Sequence, residues 1–177
     1  MEKRLTRKEL VEYIKEKMPK DYDELERLAF IEKEVARHIA FDEKYLWGDS
    51  KTQEKIYELA KKEADRPHEK VKRKLICITM SELFGYVATQ FGYDVIYQKR
   101  GMGYEIEAGN NEIFRETSSK IQEHICPLVK LSNGKFIEVD IQNDLMRLQT
   151  KSKPRTFGRS RHGNKVENGV SIQILDN

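Results

Sequence analysis

Apolar positions in the first third of the chain recur at spacings of three and four, which predicts helices. Thr6 followed by Glu9 is a capping-box pattern, the stripe Leu10, Val11, Ile14 and Met18 follows it, and Pro19 stops the helix. A second helix is predicted from about Asp23 to Phe41, with Leu25, Leu28, Ile31, Val35 and Ile39 inward. Its charged positions, Glu26, Arg27, Lys33, Glu34 and Arg37 among them, read as a solvated face with pairs one turn apart. The aromatic-rich stretch Phe41-Asp42-Glu43-Lys44-Tyr45-Leu46-Trp47-Gly48-Asp49 breaks the pattern and reads as a loop. Asp49 or Ser50 then caps a third helix with Ile56, Leu59 and Ala60 on one side. Asp65-Arg66-Pro67-His68 marks a loop and Lys70 to Lys74 a basic segment.

The most apolar run in the chain, Leu75 to Phe91, comes next, with Met80, Leu83, Phe84, Val87 and Phe91 on one helical stripe. Gly92 is its natural terminator. Beyond it the period changes from helical to alternating. Asp94 to Gln98 and Tyr104 to Ala108 read as strands around a turn at Lys99 to Gly103. Glu123 to Leu131 and Lys135 to Asp140 flank Ser132-Asn133-Gly134, a strong hairpin signal. Pro127 suggests an edge strand or a bulge. Leu145 to Gln149 and Val170 to Leu175 are further strand-like pieces. Helices first and a sheet afterwards predict an α+β fold, with the sheet antiparallel and the central helix packed on it. We read residues 1–177 as one domain, with residues 1–20 as an N-terminal helical extension and 151–168 as a flexible basic loop.

Composition narrows the function classes. Charged residues are 36% of the chain of 177, yet the net charge is only +3. This is a solvated surface of mixed sign, not that of a strongly basic nucleic-acid binder, although Lys70 to Lys74 and Lys151 to Lys165 keep such binding as a third-ranked class. No apolar run is long enough to span a membrane, and no signal sequence opens the chain. Two cysteines form no disulfide framework, so a cytoplasmic setting is expected. Neither metal-ligand spacing nor a glycine-rich phosphate loop is present, so no metal and no cofactor are expected.

Three residues carry the candidate chemistry: Cys77, His124 and Asp140. Cys77 heads the apolar helix, where the backbone dipole and open N–H groups favour the reactive thiolate. A thiol there is also an ordinary core residue. His124 supplies a base suited to neutral pH, and Asp140 an acceptor that would fix its tautomer. Hairpin register decides whether they meet. With a two-residue Asn133-Gly134 loop, His124 faces Asn143 and Asp140 falls on the opposite face. With Ser132-Asn133-Gly134 as the loop and Gly134 left-handed, Cys126 pairs with Asp140 and His124 with Gln142, all on one face. A bulge at Pro127 would have the same effect. His38 and His68 read as structural and surface residues respectively.

A cysteine at a helix head, a histidine on a strand and an aspartate after a hairpin resemble the transglutaminase-like cysteine-enzyme superfamily, relatives of papain. The resemblance covers roughly residues 25–145. It rests on the Cys77 helix ending in Phe91-Gly92-Tyr93-Asp94-Val95, on His124 through Lys135-Phe136-Ile137-Glu138-Val139-Asp140, and on the lead-in Phe41 to Leu46. It implies Cys77 as nucleophile, His124 as base and later acid, and Asp140 as orienter. The implied function is a thiol-dependent hydrolase or acyltransferase (protease, transglutaminase or deamidase) acting on amide bonds of a protein or peptide through an acyl-enzyme. The alternative is an inactive protein-binding module of the same fold. Trp47, through its indole N–H, is a candidate second oxyanion donor, with a core or interface role as the other reading. Cys126 is either a packed strand thiol or a redox partner of Cys77.

Overall fold

A computed structural model describes residues 3–99, 104–107, 124–142 and 145 of the chain. It is α+β: helices precede and pack on a four-stranded antiparallel sheet. Helix α1 (Arg7–Lys17) starts at Thr6, whose hydroxyl accepts from the Glu9 N–H while the Glu9 carboxylate accepts from the Thr6 N–H. Helix α2 (Glu24–Arg37) is capped in the same way by Asp23 and Glu26. It ends four residues short of the expected Phe41. Ala40–Phe41 instead forms strand β1, paired in parallel with β2 (Lys74–Leu75).

The expected loop after Phe41 contains a short helix, α3 (Glu43–Trp47), which Asp42 caps by accepting from the Lys44 N–H. Asp49 caps α4 (Ser50–Asp65). The buried face of α4 is Tyr57, Ala60 and Ala64, whereas Leu59, expected inward, is 50% exposed. Two alanines on the inner face let α4 approach the bulky central helix closely.

That helix, α5 (Cys77–Gln90), is buried over most of its length. It ends in a Schellman motif: Gly92, at φ +88°, donates to Thr89 and Tyr93 donates to Ala88. The sheet runs β4-β3-β5-β6, with β3 (Val95–Lys99), β4 (Tyr104–Glu107), β5 (Ile125–Lys130) and β6 (Phe136–Glu138). Val95, Tyr97, Ile125, Val129, Ile137 and Val139 share the core with α5. Gly85 makes room for the Tyr97 hydroxyl, which lies 2.1 Å from where a Cβ would be. Beside it, Arg7 forks onto the Glu82 carboxylate and lies 4.1 Å over the Tyr86 ring, tying α1 to α5.

Pro127 is not on an edge strand; β5 lies between β3 and β6. Its carbonyl accepts from the Val139 N–H at 3.0 Å, and proline has no N–H to return the bond. The β5–β6 ladder therefore ends at Leu128 and Glu138. Past it Ile141, Gln142 and Leu145 are helical, so the strand expected to begin at Leu145 does not begin there. Residues 146–149, the strand-like piece at 170–175 and the basic loop at 151–168 lie outside the described residues. No described helix is long and apolar enough to cross a membrane.

Candidate active site

The hairpin register is the one that a three-residue loop produces. Leu128 pairs with Glu138, Val129 with Ile137 and Lys130 with Phe136. Gly134 is left-handed at φ +84°, its N–H bonds to the Leu131 carbonyl, and the Leu131 N–H bonds to the Lys135 carbonyl. This register puts His124 and Asp140 on one side. They are in contact: His124 Nε2 lies 2.9 Å from Asp140 Oδ2 and 3.0 Å from Oδ1. Asp140 is buried and His124 half-buried.

Cys77 is the first residue of α5 and 6% exposed. Ile76 precedes it and has no side-chain oxygen to cap the helix. The Thr79 hydroxyl instead accepts from the Ile76 N–H at 3.2 Å, and the Cys77 N–H has no acceptor within the helix. One turn on, the Ser81 hydroxyl donates to the Ile125 carbonyl at 2.9 Å. That bond docks the thiol's helix onto the strand beside His124.

The His124 ring feels opposing influences. Burial alone would lower its pKa. The hydrogen bond to Asp140, a hydrogen bond with the Cys77 side chain and the charges of both groups outweigh it, raising the pKa to about 10. The ring is therefore protonated across neutral pH, between a carboxylate and a sulfur. The three residues singled out in the sequence thus lie together.

Other candidates are placed differently. Trp47 is 82% exposed, which rules out a core role for it. Cys126 is buried but lies outside the core cluster that holds Cys77, and the two cysteines form no disulfide. His38 caps α2, its Nδ1–H donating to the Glu34 carbonyl at 2.7 Å, and His68 is exposed. No cluster of metal-ligating side chains occurs among the described residues.

Sequence reasoning missed Tyr45. It stacks on Tyr57 and meets Phe41 edge-on, with centroids 6.5 and 6.4 Å away, and its carbonyl accepts from Gln53 Nε2. Phe41 pairs with Leu75, two residues before Cys77. Burial, and then the charge of Cys77, push the Tyr45 hydroxyl up to about 12, so it remains a donor near the sulfur. Its only sequence signal was its place in an aromatic cluster just upstream of the cysteine helix.

No protein-family model, curated protein or solved structure matches the chain.

Proposed function

We propose that the protein is a thiol enzyme of transglutaminase-like type that acts on amide or related acyl bonds of a protein or peptide. The observation that carries this reading is the His124 ring, held by Asp140 on one side and hydrogen-bonded to Cys77 on the other. With Nε2 committed to Asp140, Nδ1 is the nitrogen that holds the proton given up by the thiol, so thiolate and imidazolium rest side by side before substrate arrives. The thiolate attacks the carbonyl carbon and the C=O electron pair moves to oxygen. The Cys77 N–H and the Tyr45 hydroxyl are the donors that meet this oxyanion. His124 then protonates the leaving amine, leaving a thioester that water or a second amine resolves.

The burial of Cys77 favours a second reading, a binding module of the same fold without turnover. Alkylation separates the two. Iodoacetamide at pH 6 should label Cys77 well ahead of Cys126, and His124→Ala should abolish that lead. Cys77→Ser should remove hydrolysis of p-nitrophenyl acetate while leaving the fold unchanged. Equal labelling of the two cysteines at pH 6, together with undiminished ester hydrolysis in Cys77→Ser, would leave the binding module.

A further inference from the structure

A cleft of about 480 Å³ opens away from the thiol, and it collects positive charge. Three distant segments build it, and backbone bonds fix them. The Val71 N–H bonds to the Leu5 carbonyl, the Arg7 N–H to the Glu69 carbonyl and the Ala40 N–H to the Arg73 carbonyl. The β1–β2 pair separates this cleft from Cys77: residues 37–39 and 71–73 precede the two strands, and Cys77 follows them.

Leu10, Ile39 and Val71 form a buried apolar floor. Lys3, Arg4, Arg37 and Arg73 stand around it, and no carboxylate lines it. Two of the four cations are engaged nearby: Arg37 pairs with Glu34 at 3.1 Å and Lys3 with Glu9 at 3.8 Å. Arg4 and Arg73 make no ion pair among the described residues. His38 commits Nδ1 to the Glu34 carbonyl, which leaves Nε2 for another partner. The whole chain carries only +3, so four cations around one cleft are a local concentration and not a general basicity.

We infer that this cleft binds a small phosphorylated molecule with an apolar or aromatic body. Guanidinium forks match the several oxygens of a phosphate, and two forks from separate segments can hold one dianion together. The buried floor has nothing to offer an inorganic ion, but it matches an apolar body, and the volume lies in the range of small-molecule sites. This inference is independent of the chemistry proposed at Cys77.

Isothermal titration of the full chain with phenyl phosphate and with inorganic phosphate tests it, alongside vesicles of phosphatidic acid in phosphatidylcholine. Phenyl phosphate should bind about tenfold or more tightly than inorganic phosphate. Arg4→Ala with Arg73→Ala should weaken phenyl phosphate by about tenfold or more while thermal unfolding stays unchanged. Arg4→Lys with Arg73→Lys, which keeps the charge and loses the forks, should recover only part of the binding. Equal affinity for the two phosphates, undiminished binding by the alanine variant, or binding to vesicles alone would each overturn the proposal.

Discussion

Ser81 Oγ lies 2.9 Å from the Ile125 carbonyl oxygen, and this bond joins the helix that carries Cys77 to the strand that begins beside His124. Ser81 is 1% exposed and Ile125 1%, so water does not replace the bond if it is lost. Ser81→Ala should cost about 1–3 kcal/mol in urea denaturation by leaving a buried carbonyl without its donor. Iodoacetamide labelling of Cys77 at pH 6 should slow in the same variant, because the sulfur and the ring are no longer held in register. A loss of stability with unchanged labelling would show that the bond does not position the pair.

The His124–Asp140 contact makes stability depend on pH in a definite direction. Folding raises the histidine pKa from its ordinary 6.5 to about 10, so the folded chain holds the extra proton across that interval. The contribution is complete below about 6.5 and is lost as pH rises through about 10. Asp140→Asn removes the main partner, so its ring should titrate nearer the ordinary value. Its stability should be flatter than that of the parent chain between pH 7 and 10. Histidine ring shifts followed by NMR, with urea midpoints over that range, check both statements.

Tyr45→Phe separates thiol activation from oxyanion stabilisation. The ring still stacks on Tyr57 and meets Phe41, so the fold should be kept. Loss of one oxyanion donor lowers turnover by about 10²–10³ in well-studied cases, and hydrolysis of p-nitrophenyl acetate should fall toward that range. Alkylation of Cys77, which builds no oxyanion, should be nearly unchanged. A Tyr45→Phe variant with the parent rate would remove the hydroxyl from the mechanism.

Arg7 and Glu82 form a mostly buried pair, with burial pushing the Glu82 pKa up and Arg7 holding it down. Arg7→Met should destabilise by about 3–5 kcal/mol, since it strands a carboxylate against the core. Arg7→Met with Glu82→Leu should recover most of that loss, because two apolar side chains leave no charge unpaired. A double-mutant cycle by urea denaturation measures the coupling.

The parts of this fold that were legible in sequence are those that neighbouring residues decide. The Thr6–Glu9 capping box, the Gly92 terminator and the hairpin at Ser132-Asn133-Gly134 each involve a handful of consecutive positions. The misreadings are all non-local. Ile39 and Phe41 suit a helical stripe and an alternating strand equally well, and only pairing with Lys74–Leu75 decides that the helix ends at Arg37. Leu59 fits a stripe with Ile56, yet close approach to α5 selects Tyr57, Ala60 and Ala64. Pro127 signalled a break in pairing, but not that the break falls at one end of an interior strand, where β6 leaves the ladder. At the site, the sequence left two loop lengths open, and the observed register selects the one that brings His124 to Asp140. Tyr45 was not legible because its position depends on Tyr57, Gln53 and the β1–β2 pairing, none of which periodicity reveals.

Residues 132–134 are exposed, and exposed hairpin tips are ordinarily where a chain tolerates added or deleted residues. Here that tolerance ends at the turn itself. Deleting Ser132 leaves an Asn-Gly turn still flanked by Leu131 and Lys135, so every side chain beyond it keeps its face of the sheet. Deleting Lys135, which is just as exposed, keeps the three-residue turn but moves every side chain beyond it to the other face. Asp140 would then leave His124, and Ile137 and Val139 would leave the core. A deletion scan should therefore find Ser132 tolerant and Lys135 as intolerant as an interior position.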